Sequence, residues 1–461
     1  MVNTIKRRQL RFIGCMKWIF YFLAIVVAFV ACQDDDNFST STGHKLSFPS
    51  DTLKMDTVFS RTPSSTYTFW VYNENDAGIK MQSVRLKRGN QTGFRVNVDG
   101  IYLDNSNGSL TSNVEIRRND SILVFVELTP AETGQSDPVL LEDDLLFQLE
   151  SGLEQRVCLQ AWVWDAQKLY SPVIDKDSLI ESHVPIVVFG DMRVEEGVTL
   201  TVRNTSLYFH DGSGLDVHGT LCLEDCVLRG DRLDDMFSYL PYDRVSGQWN
   251  GIAIRETSHN NKFVRAEIRN PLYGVVCDSA AIDPDHYRLE MDYCVIHNCS
   301  GVGVSAVNTY LRLDHCQLSN TGGDCFSLFG GIAEINHCTF AQYYPFAADR
   351  GAAFRFTNYY GTNVQPMFVA CSHSIITGYA DDVVMGDMLG EDQNTFDYAF
   401  ENCLLRTPEV TDDPKRFVDI IWESPEDSVQ MKQNFVNIDE ENLIYDFHLD
   451  SLSTVQGIGC Y

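Results

Sequence analysis

Between residues 225 and 405 the chain repeats one short pattern seven times: a polar or aromatic residue, a small residue, any residue, and an aliphatic or aromatic one. The small positions are Cys226, Ala266, Cys294, Cys316, Cys338, Ser374 and Cys403. The shortest spacing is 22 residues, and it occurs twice in succession, from 294 to 316 and from 316 to 338. A fixed period of this length predicts a parallel β-solenoid, in which each turn packs on its neighbours.

A different hydrophobic pattern precedes the repeat. Apolar and polar positions alternate in segments 66–72, 93–98, 121–127 and 156–162, and Gly, Asn and Asp residues separate these segments. A period of two is typical of strands with one buried face. We therefore predict a β-sandwich over residues 47–165, a linker with two prolines over 166–185, and the solenoid over 186–461.

Both regions are similar to known families. Segments 185–190, 194–202 and 215–221 resemble the opening turns of right-handed parallel β-helix proteins of the pectate-lyase-like type. Residues 47–165 resemble the immunoglobulin-like spacer domains of large bacterial surface proteins. These resemblances imply an all-β chain, with an N-terminal β-sandwich followed by a right-handed parallel β-helix, a single-stranded solenoid. The fold hosts lyases, hydrolases, esterases, adhesins and spacers, so it leaves the function open.

The start of the chain has the features of an export signal. Basic residues at 6–8 precede an apolar run over 18–31, which is too short for an ordinary membrane anchor and predicts a signal peptide over 1–31. The run ends at Cys32, and an acidic segment follows at 33–37. This arrangement resembles the lipobox and surface-export signal of bacteroidete-type lipoproteins. It implies lipidation of Cys32, a polar tether over 32–46, and anchoring at the exposed face of the outer membrane; the alternative is a plain secreted protein.

The formal charge of −29 narrows the choice of partners. Nucleic acid is excluded as a partner, since its binding requires clustered Lys and Arg. An acidic chain of this kind has either an ordinary solvated surface or a surface that binds glycan with the help of calcium. Nothing in the sequence requires a cofactor, and Ca²⁺ enters only through that second option.

The cysteines and histidines favour structural roles. Five of the 14 cysteines occupy the repeated small position, where parallel strands point neighbouring side chains the same way and disfavour disulfide torsions. Buried, reduced cysteines are therefore expected, and the absence of paired Cys-x-x-Cys spacing argues against a metal site. His315, His337 and His373 precede three of the small residues. They form either a stacked corner column or a site for a metal or sulfated glycan.

No complete catalytic set is present. Polygalacturonase-like enzymes carry an Asp-Asp-Cys stretch, whereas here Gly323 precedes Asp324 and Cys325. A glycosidic bond needs two carboxylates for acid and base work, so this hydrolase chemistry is disfavoured. We predict no catalytic residues.

The solenoid period instead lengthens at three places, which indicates inserted loops rich in aromatic and acidic residues. Such residues suit sugar recognition, because rings stack on pyranose faces and carboxylates accept hydroxyl hydrogen bonds. The candidate ligand-binding residues are Tyr343, Tyr344, Asp349, Arg350, Asp381 and Asp382.

Two function classes follow from these observations. The first is a non-catalytic surface lipoprotein whose β-helix binds a polysaccharide, a surface protein or host material. The alternative is a polysaccharide lyase or glycoside hydrolase that acts on an extracellular glycan with carboxylates from the inserted loops. A purely structural spacer is the third possibility.

Overall fold

The computed structural model describes residues 37–103, 110–237, 239–424, 434–453 and 455–461. Cys32 and the predicted signal peptide lie outside these residues. The described residues divide into two compact units: those within 37–55, 66–129 and 141–160 form one, and those within 56–65, 130–140 and 161–461 form the other. Within the described residues, no helix is long and apolar enough to cross a membrane.

The N-terminal region forms two antiparallel sheets, as the alternating pattern predicts. Its strands are β1 (Thr52–Phe59), β2 (Tyr67–Asn73), β3 (Ile79–Leu86), β4 (Phe94–Val98), β5 (Ile101–Tyr102), β6 (Leu110–Thr111), β7 (Val114–Ile116), β8 (Asp120–Leu128), β9 (Val139–Leu149) and β10 (Glu154–Trp164). One sheet has the order β1-β10-β9-β3-β6 with β7 also on β3, and the other has the order β2-β8-β4-β5. Val71, Val96 and Val124 are fully buried at alternating positions and contribute to the core.

The remaining chain forms a parallel β-helix with three faces, which we call A, B and C. Face A contains β11 (Gln167–Tyr170), β14 (Ile186–Phe189), β17 (Ser206–Phe209), the ends of β19 (Thr220–Gly230) and β23 (Asn261–Arg269), β26 (Val295–Cys299), β28 (Gln317–Thr321), β30 (Thr339–Gln342), β35 (Ile375–Gly378), β38 (Leu404–Leu405) and β40 (Ile421–Trp422). Face B contains β12 (Val173–Ile174), β15 (Met192–Val194), β18 (Gly214–Val217), β22 (Gly251–Ile254), β24 (Val275–Cys277), the starts of β27 (Val304–Asp314) and β29 (Phe326–Asn336), β31 (Phe354–Thr357) and β36 (Val384–Asp387).

Face C contains β13 (Ser178–Ile180), β16 (Thr199–Arg203), the starts of β19 and β23, β25 (Leu289–Asp292), the ends of β27 and β29, β34 (Met367–Ser372), β37 (Phe396–Glu401) and β39 (Phe417–Val418). Three hairpins lie outside the faces: β20 (Asp235–Phe237) with β21 (Leu240–Pro241), β32 (Tyr359–Tyr360) with β33 (Asn363–Val364), and β41 (Phe435–Asp439) with β42 (Ile444–Leu449). Short 3-10 helices span Tyr242–Arg244 and Gln393–Thr395.

The register of face A confirms the seven-fold repeat. Cys226 pairs with Ala266, and the pairing of Val295 with Gln317 places Cys294 beside Cys316 in the same way. The preceding polar or aromatic residues all have left-handed φ values between 48° and 55°; they are Asp225, Arg265, Tyr293, His315, His337, His373 and Asn402. These residues turn the chain from face C to face A. The repeat is therefore the corner of each coil.

The predicted linker over 166–185 is wrong. β11, β12 and β13 pair in parallel with β14, β15 and β16, so these residues form the first turn of the solenoid. Pro172 and Pro185 lie between strands, where their carbonyl groups accept hydrogen bonds from Arg193 and Gln167. Because proline lacks only the N–H donor, it fits at such corners without removing a strand hydrogen bond.

The twelve cysteines among the described residues are free thiols, and the five at the repeated small position are buried. Burial raises the pKa of Cys226 to about 12 and that of Cys277 to about 12. The thiolate is the reactive form of cysteine. Burial therefore slows the reaction of these side chains with reagents in two ways, because it blocks contact with the reagent and keeps the thiol protonated.

We therefore expect native protein to react slowly with a thiol reagent at neutral pH, and to react fully after unfolding. Cys158 and Cys222 are partly exposed and should react first. Counting labelled thiols by mass spectrometry during a time course tests this. Rapid labelling of the ladder residue Cys316 in folded protein would contradict the burial of the ladder.

Candidate functional site

A trough of about 420 Å³ lies on the outer side of face B. Its floor is formed by Asp216, Ala253, Val276 and Ser305, which are register partners in β18, β22, β24 and β27. Each lies between two inward-facing residues, so its side chain points outward. Three coil steps of about 4.8 Å give the floor a length of about 14 Å. At the next coil Ser327 is buried, and the floor ends there.

One wall of the trough carries an exposed aromatic ring. Tyr273 lies at the corner between faces A and B and is 44% exposed. Its ring lies against Gly301, where an added Cβ would come within 2.5 Å of the ring. Glycine is therefore required beneath the ring, which is fixed against the backbone with its other side toward solvent. Asp191 and Asn250 continue this wall.

The opposite wall is charged. Arg255 donates to Asp216 at 2.6 Å and to Asp278 at 3.3 Å, and His218 lies 3.2 Å from Asp216. Burial by itself raises the pKa of Asp216, but the hydrogen bonds and charges of Arg255 and His218 outweigh burial and lower it. The hydrogen bond to Asp216 is the main reason that the pKa of Arg255 is raised. Arg255 of this wall and Asp216 of the floor therefore form a fixed, ionised pair.

These features suit a hydroxyl-rich ligand with an apolar side. The aromatic ring can stack on a sugar ring, while the carboxylate, guanidinium and amide groups can exchange hydrogen bonds with hydroxyls. The small floor residues Ala253 and Ser305 leave room for a ligand that crosses several coils. Among the described residues, no group of three or more His, Cys, Asp or Glu side chains could hold a metal ion.

The sequence-predicted residues lie elsewhere, and Tyr343 is wrong as a ligand-binding residue. Its side chain is fully buried, and its hydroxyl is 3.4 Å from the Thr377 hydroxyl. Phe435 and Phe447 of the C-terminal hairpin share its hydrophobic cluster. Tyr344 is also largely buried, 6% exposed, and its hydroxyl is 2.8 Å from the Ser246 hydroxyl. The hairpin that covers Tyr343 is almost a hundred residues away in sequence, so its packing could not be predicted locally.

The other four candidates lie on two of the inserted loops, Asp349 and Arg350 on one and Asp381 and Asp382 on the next. Arg350 donates to the Tyr344 carbonyl at 2.6 Å, and Asp349 beside it is exposed. Asp381 is 75% exposed and lies 3.4 Å from Arg406. Asp382 accepts a hydrogen bond from the Val384 N–H at 3.2 Å, which fixes the turn before β36. None of these side chains lines the trough.

The histidine column is a stack of corner side chains. His315, His337 and His373 follow one another with ring centroids 4.8 Å apart and interplanar angles of 15° and 16°. Tyr293 continues the stack at 4.6 Å from His315. Parallel rings point their nitrogens in the same direction, whereas a metal needs ligands that converge on one point. The stack thus favours the corner interpretation over the metal one.

The sequence analysis missed the trough residues because the repeat consists of residues that face the core, whereas the trough residues point outward. Each floor residue stands in the middle of an apolar-x-apolar triplet, for example Leu215-Asp216-Val217 and Ile252-Ala253-Ile254. The signal was therefore available in the alternation of each short strand. What the spacing could not supply was the alignment of these triplets, since 37 residues separate Asp216 from Ala253.

Comparisons with known proteins are weak. No protein-family model matches the chain, and no curated protein matches it. Solved structures with partial likeness include a family 123 glycoside hydrolase from Clostridium perfringens, with 6% identity, a TM-score of 0.18 and 26% of each chain covered. A mannuronan C-5 epimerase A-module from Azotobacter vinelandii has 10% identity and a TM-score of 0.30, with 57% of this chain and 91% of that chain covered.

A catalytic unit of a thermostable α-1,3-glucanase from Streptomyces thermodiastaticus has 10% identity and a TM-score of 0.24. The likeness covers 77% of this chain and 89% of that one, whereas this chain spans only about a quarter of the first glycoside hydrolase. At these TM-scores the function has to be argued from the geometry of the chain itself.

Proposed function

We propose that this protein is a cell-surface lipoprotein whose β-helix binds an extracellular glycan in the face B trough. The observation that carries the proposal is the exposed ring of Tyr273, fixed over Gly301, opposite the Arg255–Asp216 pair. An aromatic platform facing a polar wall is the arrangement that a pyranose ring requires, because each sugar has an apolar side and a rim of hydroxyls.

Binding without cleavage is the favoured activity. A hydrolase needs one carboxyl group that stays protonated to act as an acid, and such groups have raised pKa values. In the trough the pKa of Asp216 is lowered, and Arg255 engages both Asp216 and Asp278. These carboxylates are suited to holding hydroxyls in place. Glycoside hydrolysis by this pair is the alternative activity, since both lie on one solvent-facing side.

The anchor and the N-terminal sandwich complete the proposal. Lipidation at Cys32 would fix the chain to the outer membrane, and the acidic segment 33–37 would direct it to the cell surface. The β-sandwich would then act as a stalk for the solenoid. Both ideas rest on the sequence signals alone.

Substitution of the trough ring tests the proposal. Purified protein is applied to an array of plant, microbial and host glycans, and the affinity for any glycan retained is measured by calorimetry. Tyr273→Ala is expected to weaken binding by about tenfold, since an aromatic contact of this kind contributes roughly 1 kcal/mol or slightly more. Tyr293→Ala is the matched control, because Tyr293 is 56% exposed but lies on the histidine corner.

Equal effects of the two substitutions, or no glycan binding at all, would exclude the trough as a glycan site. The same glycans should be incubated with the protein and tested for new reducing ends. Release of product that disappears in Asp216→Asn would replace the binding proposal with the hydrolase alternative.

A further inference from the structure

A second and larger groove, of about 560 Å³, lies on the outer side of face A. Its floor is the outer surface of β23, β26 and β28, and one wall is β42 of the C-terminal hairpin. Two of the inserted loops reach it through Asp243 and Phe346. The groove thus brings together segments that are about 200 residues apart in sequence.

The floor of this face A groove is polar and rigid. His297 lies with Nδ1 2.9 Å from the Ser319 hydroxyl, and burial is the main reason that its pKa is lowered to about 4. The imidazole is therefore neutral at pH 7. Gln317 donates to the same Ser319 hydroxyl at 2.7 Å and accepts from the Tyr461 hydroxyl at 2.8 Å. Both side chains are held in place before any ligand arrives.

Three carboxylates around the groove already have partners. Asp243 lies 2.8 Å from Arg229, and Glu267 lies 2.5 Å from Arg269, so each of these two charges is offset by a guanidinium. Asp446 accepts hydrogen bonds from the backbone N–H and ring of His448. The carboxylate oxygens can still accept hydrogen bonds from a hydroxyl group.

Two further side chains line the same groove. The Tyr445 ring is partly exposed, but its hydroxyl oxygen is shielded from solvent and has no hydrogen-bond partner among the described residues. Arg244 donates to the Asn442 carbonyl at 2.6 Å, and its charge also acts on Asp235 and Asp439. Arg244 is therefore the side chain through which this part of the groove can donate to a ligand.

We infer that the face A groove is a second ligand site, which binds a neutral saccharide unit independently of the trough. Hydroxyl groups donate and accept, so a sugar can use both the carboxylates and the Arg244 guanidinium. A phosphate or sulfate would meet three carboxylates, and a polyamine would meet Arg244 and Arg269. Phe346, 49% exposed, offers a ring to the apolar side of the sugar. The volume is in the usual range for ligand pockets, about 300–1,000 Å³.

The inference extends the proposed glycan-binding function, and calorimetry can separate the two sites. The probes are neutral oligosaccharides of glucose, mannose, galactose and xylose, with oligogalacturonate as the anionic comparison. We expect Phe346→Ala to weaken binding of a neutral probe by about tenfold in the Tyr273→Ala background. Phe368→Ala is the matched control, because Phe368 is 40% exposed on face C and should leave affinity unchanged.

Arg244→Gln adds a readout that a merely structural role would not move. Loss of this partly exposed donor should leave Tm nearly unchanged, whereas affinity for the neutral probe should fall several-fold. A fall in Tm with unchanged affinity would overturn the inference.

The possible failures are distinguishable. If the wild-type protein binds a neutral probe and the Tyr273→Ala protein does not, the face A groove is not a saccharide site, and the trough proposal stands. If binding survives Tyr273→Ala unchanged but is lost in the single variant Phe346→Ala, the groove is the site and the trough proposal is wrong. Tighter binding of oligogalacturonate than of any neutral probe in the Tyr273→Ala background would also overturn the inference.

Discussion

Phe354→Ala is expected to lower the free energy of unfolding by about 3 to 5 kcal/mol, the usual cost of emptying a buried phenylalanine site. Phe354 is fully buried in the solenoid core. Its ring lies 4.8 Å from that of Phe326 in a stacked arrangement and 5.1 Å from that of Phe340 in an edge contact. Parallel strands on both sides hold these rings, so the core cannot collapse into the cavity.

Urea unfolding followed by circular dichroism measures the change. Phe368→Ala provides the control, since it removes the same side chain from a half-exposed position on face C, and its cost should stay below about 1 kcal/mol. Each solenoid turn contacts only its neighbours, so the C-terminal turns of Phe354→Ala can unfold in a separate transition. Such a transition at lower urea concentration would also support the prediction. Equal costs for the two variants would show that the aromatic stack does not stabilise the core.

Acid is expected to destabilise the protein through His297. Burial, with a smaller contribution from the charge of Arg269, lowers the pKa of this ring to about 4 from its ordinary value of 6.5. The folded state therefore disfavours the protonated ring. Its contribution to stability is complete above pH 6.5 and is lost as the pH falls toward 4, by about 3 kcal/mol at pH 4. The lowered pKa of His337 acts in the same direction.

His297→Gln tests this effect, because glutamine keeps a polar side chain that does not titrate. Unfolding free energies are measured at pH 7 and at pH 4 for both proteins, and the difference between the two pH values should be smaller in the variant by about 3 kcal/mol. His286→Gln is the control, since that side chain is 67% exposed. An unchanged pH dependence in His297→Gln would show that His297 titrates normally in the folded protein.

The fold was largely predictable because the repeated small residue marks a corner of the coil that is buried and has little space for a side chain. A corner requires a left-handed residue followed by a small side chain, so Cys294, Cys316 and Cys338 recur wherever the coil turns without an insertion. That requirement acts within a few residues and survives as a period in the sequence. The prediction of a linker over 166–185 was wrong because strands as short as β12 contain too few residues for an alternating pattern to be detected.

The candidate sites were less predictable. The local sequence around Tyr343 does not show whether its side chain is buried, since Phe435 and Phe447 of the distant C-terminal hairpin belong to the hydrophobic cluster that buries it. Conversely, Ala253 and Ser305 have no chemical signal of their own. They matter because their neighbours in space, Tyr273 and Arg255, form walls around them.

The sequence by itself determined the solenoid and the buried position of its repeated cysteines, because each coil must satisfy the same local backbone and core constraints. The tertiary structure alone decided which outward-facing side chains lie together. Outward side chains become neighbours only when coils of unequal length stack, and whether an inserted loop is exposed depends on which distant segment covers it. Those relations are long-range, so no period in the sequence records them.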